Sequence, residues 1–532
     1  MIRRDFLRGT SSGLASALLL GAPAAAAAES TASSATARAA ILDVRRYGAT
    51  GDGKTIDTPA VNRAIEAAAA AGGGTVYFPA GTYACYSIRL KSQIALFLDA
   101  GATILAAEVP PEGTTTGGYD PAGPPQPWEA YQDFGHNHWR NSLIWGEDLE
   151  DIAITGSGRI WGKGLSRGQA NELPLAESPG VGNKAIALKS CRNVTLRDFS
   201  ILMGGHFAIL LTGVDNAVID GLHIDTNRDG MDIDCCRNVR VSNCSVNSPW
   251  DDGICAKSSF ALGHARPTEN VTIANCYVTG AYRYGTMLDG TWQRAVYSQT
   301  RKSIGRIKCG TESNGGFRNI AITNCVFDSC RGLALETVDG AQIEDIAITN
   351  LTMRDVVHSP LFLRLGSRMR GPKGALPGTL RRVVISNIVS SGAVAEYPSI
   401  LAGISGHPIE DIKISDVYLE QLGGGGKEWA SRNPPELPGG YPEADMFGTL
   451  PASGFFLRHA RNVEFSNIEI ATAKPDARPA FWAEDVDGLD LFRVRVPSNA
   501  AAYTLKNVRS FRSFGSQRLK DRVIEQTTGE TF

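Results

Sequence analysis

The chain reads as an all-β solenoid, and three observations predict it. First, eleven short segments repeat one seven-residue pattern: clear copies begin at Asn238, Asn270, Asn319, Asp345, Arg382, Asp411 and Asn462, and weaker ones at Asp151, Asn193, Asn216 and Gly488. Second, their start-to-start spacings are 42, 23, 22, 32, 49, 26, 37, 29, 51 and 26 residues. The short values are one unit and the long ones a unit plus a loop, as expected when each repeat adds one coil. Third, apolar residues alternate with period two inside the repeats, many are β-branched, and no helical period is present.

Residues 1–28 read as an export address rather than as fold. Arg3-Arg4-Asp5-Phe6-Leu7 resembles a twin-arginine signal; an apolar stretch through Leu18–Leu20 and an alanine run ending near Ala28 follow. The mature chain is expected to start near Glu29 and to be exported, periplasmic or secreted. Residues 29–40 form a Ser/Ala/Thr linker. Asp57-Thr58-Pro59 starts a helix, with a capping side chain and then proline in the first turn, and Gly72–Gly74 ends it near Ala71. An open solenoid end exposes strand edges, and this helix is expected to cover one.

The solenoid is expected over 41–510. Three excursions interrupt it: 107–140, with Trp128, Tyr131, Phe134, His136, His138 and Trp139; 291–303; and 421–452. The tail at 511–532 is polar. A net charge of −2 favours neither nucleic acid nor membrane as partner. The ten cysteines show no metal-binding spacing. Cys244, Cys276 and Cys325 share one repeat position beside Asn243, Asn275 and Asn324, which predicts stacked small side chains and an asparagine ladder.

The chemistry lies in the strands that precede the repeats. Alternation sends Met231, Ile233, Ile254, Ala256, Ile307, Leu333, Leu335, Leu361 and Leu363 inward. It sends Asp232, Asp234, Lys257, Asp289, Arg306, Lys308, Glu336 and Arg364 outward. Asp229, Asp251, Asp252 and Tyr284 stand just before the glycines that open these strands. With coils about 4.8 Å apart, carboxylates on adjacent coils are expected roughly 5–10 Å from one another. Like charges across neighbouring strands cost stability, so the crowding of Asp229, Asp251 and Asp252 points to function. It drives carboxyl pKa values apart, which supplies an acid beside a base. Arg306 and Lys308, two residues apart, suit a substrate carboxylate. Tyr284, Lys257, Asp232, Asp289, Glu336 and Arg364 complete the substrate-binding candidates.

These residues resemble the polygalacturonase-like glycoside hydrolases, family twenty-eight. That family carries the motifs N-T-D, G-D-D, G-H-G and R-I-K, in that order. Asn227-Arg228-Asp229-Gly230 stands at the first, Trp250-Asp251-Asp252-Gly253 at the second, and Arg306-Ile307-Lys308 matches the last outright. Residues 44–83 resemble the N-terminal cap of pectin-degrading β-helix enzymes, and the resemblance covers roughly 40–510. The third motif departs: Arg283-Tyr284-Gly285 carries no histidine, and about one coil is missing at 291–303. The resemblance implies a right-handed parallel β-helix, of roughly ten coils by the repeat spacing, acting as a monomer on an acidic plant-type glycan of pectin or rhamnogalacturonan type. It also implies Asp251 as general acid, Asp229 and Asp252 as water-activating bases, Arg306 and Lys308 on a uronate carboxylate, and inversion at the anomeric carbon. No cofactor and no metal are expected. Two other classes remain open. A β-helix polysaccharide lyase would use Asp229, Asp232, Asp251 and Asp252 to hold calcium; a non-catalytic glycan-binding solenoid would need no carboxylate cluster. The aromatic excursion at 107–140 is expected to wall one end of the groove, as exo cleavage requires.

Overall fold

The computed structural model describes residues 40–108, 118–167, 178–295, 302–498, 501–517 and 519–532. The export address and most of the linker lie outside these. Among the described residues no helix is long and apolar enough to cross a membrane.

From Ala40 onward the chain winds as a parallel β-helix. In the first half each coil contributes three short strands, such as Phe207–Thr212, Asp215–Asp220 and His223–Asp225, each pairing in parallel with its counterpart one coil on. In the second half the last two strands of each coil merge into long bent ones, such as Gln342–Arg354 and Thr379–Ala393. The inward set is as the alternation predicts: Ile209, Met231, Ile254, Ile307, Leu333 and Leu361 form one fully buried ladder across six coils.

The repeat's asparagines have a local cause. Asn193, Asn216, Asn238, Asn270 and Asn319 all have φ between 54° and 59°, as do Asn243, Asn275, Asn324, Asn350 and Asn387 between 55° and 57°. Asparagine tolerates this left-handed region better than other side chains. Most corner amides then bond to the amide one coil below: Asn238 Nδ2 donates to Asn216 Oδ1 at 3.0 Å, Asn270 to Asn238 at 3.0 Å, and Asn275 to Asn243 at 3.2 Å; Asn193 and Asn243 donate instead to Asp151 and Asp220, and Asn387 to Thr349. All ten cysteines are free and buried.

The capping helix spans Thr58–Ala70 and buries Ala60, Val61, Ala64, Ile65 and Ala68. Asp57 does not cap it through its side chain, as the sequence suggested. Its carboxylate instead accepts from Thr50 N (2.7 Å) and Gly51 N (3.0 Å), which pins the preceding turn. At the far end, Arg522–Thr527 and Glu530–Thr531 pair antiparallel with Tyr503–Phe514 and cover the last coil.

The structure corrects one alignment. Residues 285–289 form no coil strand: Tyr282–Tyr284 and Gln293–Arg294 make a separate antiparallel hairpin, and Ile254–Ser258 pairs directly with Ile307–Ser313. Asp289 therefore lies outside the sheet, exposed, and its carboxylate accepts from Thr291 N and Oγ1.

Candidate active site

Asp229 opens the strand Asp229–Asp234, and Asp251-Asp252 immediately precede Ile254–Ser258 on the next coil. Stacking brings one carboxylate oxygen of each within 4.8 Å of the other two, tighter than the spacing expected from the sequence. Their surroundings differ. The Asp251 side chain is 23% exposed, and Arg228 Nη2 donates to it at 2.7 Å. Asp252 is buried; Lys308 Nζ meets its Oδ2 at 2.5 Å and Arg306 Nε donates to its Oδ1 at 2.8 Å. Asp229 is buried, and its Oδ1 has no hydrogen-bond partner.

These surroundings separate the protonation states. Burial, then the charges of Asp232 and Asp251, push the Asp229 carboxyl well above the usual range. Burial opposes ionisation of Asp252 as well, but Lys308 and Arg306 outweigh it and hold the group well below the usual range. The electrostatics thus favour the proton on Asp229 over Asp252, where the motif resemblance assigns the acid to Asp251.

Several outward-facing residues are not solvent-facing. Asp232, Asp234, Lys257, Arg306, Lys308, Glu336 and Arg364 do leave the helix core, yet all are buried. The excursions roof them over. From 118–140, His136 Nδ1 lies 2.5 Å from Glu312 Oε2 and its Nε2 lies 3.3 Å from Asp232 Oδ2. Lys257 sits 3.7 Å and 3.8 Å from the same two carboxylates. Burial disfavours a charged His136, but Glu312 and Asp232 prevail and its pKa is pushed up to about 10. Asp234 is tied to Ser259, whose backbone N donates at 2.8 Å and whose Oγ donates at 2.6 Å.

From 421–452, Glu443 accepts both terminal nitrogens of Arg306, at 3.1 Å and 2.7 Å. Arg306 and Lys308, expected on a substrate carboxylate, are both engaged by carboxylates of the protein. Arg306 is matched by Glu443 and Asp252, and Lys308 contacts Asp252 and Thr311 Oγ1, so the pair helps to hold the site together. Glu336 is buried beside them, accepting from Thr311 Oγ1 at 3.1 Å; burial lifts its pKa to about 7. Arg364 bonds to carbonyls of Gly403 (2.8 Å) and Leu437 (3.2 Å) and lies over Phe447 at 5.3 Å. It anchors an excursion instead of facing a ligand. Tyr284 is 59% exposed on the hairpin and remains available.

Sequence reasoning missed Glu312, Glu443 and the role of Arg228, and it named His136 only as part of a wall. Glu312 was hidden because the register shifts after Ala256, which breaks simple alternation.

Fold and site together define a right-handed parallel β-helix protein with a three-carboxylate centre on one sheet. A family model described as a right-handed beta helix region matches 151–261 and 176–292, and one described as rhamnogalacturonase A/epimerase, pectate lyase-like, matches 41–119. The chain's similarity runs to polygalacturonases. It is 26% identical over 403 residues to a protein of Vitis vinifera named "Probable polygalacturonase", covering 70% of this chain and 73% of that one. It is 29% identical over 283 residues to the plasmin and fibronectin-binding protein A of Streptococcus pneumoniae, covering 49% of this chain but only 35% of that one. The family 28 exopolygalacturonase structure from Yersinia enterocolitica shares the fold at a TM-score of 0.61 and 19% identity, over 87% of this chain and 79% of that one.

Proposed function

We propose that the protein hydrolyses the glycosidic bonds of an α-linked, uronate-containing glycan of pectic type. The observation that carries this reading is the trio itself: three carboxylates within 4.8 Å, one kept protonated by burial and one kept ionised by two buried cations. Solvation of a strand face needs no such arrangement, whereas general acid–base hydrolysis does. Similarity to a polygalacturonase supports the substrate class.

In this scheme Asp251 is the member that substrate reaches. Asp229, close behind it, supplies the proton, which passes through Asp251 to the departing glycosidic oxygen as the bond to the anomeric carbon breaks. Ionised Asp252 accepts a proton from the water that forms the new bond. Asp252 is buried and held by Lys308 and Arg306. It cannot swing to the sugar as a nucleophile, so water attacks and the anomeric configuration inverts. Inverting enzymes commonly separate their carboxyls by about 6.5–9.5 Å to admit that water. In this tighter trio the water sits above the carboxylates, on the substrate side. The 118–140 excursion, fastened by His136 over this sheet, supports exo cleavage.

Incubation with polygalacturonate, rhamnogalacturonan and neutral glycans tests the reading. Reducing ends without an unsaturated, ultraviolet-absorbing uronate are expected, and short products from the start. An absorbing product would show elimination. Binding without cleavage would favour a purely adhesive solenoid, the reading that fits the Streptococcus pneumoniae relative.

A further inference from the structure

Against Trp250, the residue before Asp251, stands a cation with no paired carboxylate among the described residues. Trp250 is 46% exposed, and the Arg283 guanidinium lies 4.3 Å from the centre of its ring. Arg283 belongs to the hairpin at Tyr282–Tyr284, half-buried against this edge. Its Nη2 donates to Ser303 Oγ at 3.1 Å, and its Nε has no partner. Among the described residues no carboxylate pairs with it. Every other arginine at the centre is matched: Arg228 to Asp251, Arg306 to Asp252 and Glu443, and Arg331 to Glu443. Partial burial without a compensating charge lowers the pKa of Arg283, so an incoming anion would relieve an existing cost.

We propose that Arg283 and Trp250 form a subsite for an acidic sugar near Asp251, with the guanidinium, held against the exposed indole, on the sugar's carboxylate. Arginine forks bind carboxylates with two parallel hydrogen bonds, and stacking against the indole holds the guanidinium plane in a fixed orientation for that contact. Exposed Tyr284 extends the surface along the hairpin. The inference deepens the hydrolase reading by placing the uronate contact here rather than at Arg306 and Lys308.

Calorimetric titration of trigalacturonate and its methyl ester tests it, in an Asp229→Asn background that prevents turnover. Adding Arg283→Gln should weaken binding of the free acid about ten- to a hundred-fold and leave the ester nearly unchanged. Arg283→Lys should restore part of the loss. Unchanged affinity, or equal loss on both ligands, overturns the subsite. Thermal unfolding of each variant, expected to be unchanged because the hairpin lies outside the coil stack, excludes a folding defect. Turnover by the wild type separates the two claims. Arg283-dependent binding without any cleavage keeps the subsite and sinks hydrolysis; cleavage with Arg283-independent affinity does the reverse.

Discussion

Replacing Lys308 by methionine removes one of the two cations that hold Asp252 ionised. Lys308 Nζ lies 2.5 Å from Asp252 Oδ2, and both groups are buried. Breaking a buried pair costs about 3–5 kcal/mol. Arg306 Nε stays on the other oxygen at 2.8 Å, so the lower end applies, about 3 kcal/mol. A contacting opposite charge lowers a carboxyl pKa by about 1–3 units, and its removal should raise that of Asp252 by a similar amount. Asp252 then reaches its working, ionised form only at higher pH. The acid limb of the pH–rate profile should move up by about 1–3 units, seen as reducing-end release in kcat more than in KM. The linkage has a matching sign. The folded pKa of Asp252 is depressed, so its contribution to stability is present above the ordinary carboxylate value and is lost as pH falls toward the folded one. Acid-induced loss of stability should accordingly be shallower in Lys308→Met. If Lys308 acts through Asp252 alone, losses at neutral pH should be equal on the free acid and its methyl ester. A loss concentrated on the acid would place Lys308 against the substrate. An unmoved acid limb would remove Asp252 as the base.

Three further outcomes are expected. Asp251→Asn should cut turnover about 10²–10⁴-fold, the usual worth of a positioned proton donor, while unfolding changes by under about 1 kcal/mol, because its pair with Arg228 is partly exposed; near-normal turnover would dismiss Asp251. His136→Asn should flatten the stability profile on the alkaline side. The folded pKa, about 10, lies above the ordinary 6.5, so the stabilisation is full below 6.5 and fades as pH rises toward 10; an unchanged alkaline slope in thermal melts would refute the charged pairing with Glu312 and Asp232. Exhaustive chelation should leave hydrolysis intact; activity lost on chelation and restored by calcium would mean that the trio binds a cation.

Much of the fold was legible because its determinants are local. Alternation chose the buried faces, and asparagines at left-handed corners marked the coil period. The trio was legible for a related reason: coil stacking converts a spacing of 22 residues between Asp229 and Asp251 into adjacency. The alignment failed at Asp289, where a hairpin left the stack, and alternation alone did not show that the outward-facing Arg306, Lys308, Glu336 and Arg364 are buried.

By itself, then, the sequence determined the solenoid, its inward ladder and the three aspartates, since each follows from neighbours within one coil or one coil away. Only the tertiary structure decided what lies over them. His136 and Glu443 reach the site from excursions more than a hundred residues from their partners, Glu312 and Arg306. A loop's landing place is fixed by packing and charge, not by repeat spacing. That landing buries the cations, ties Arg306 to Glu443, and leaves Arg283, among the described residues, as the guanidinium against Trp250 with no carboxylate of its own.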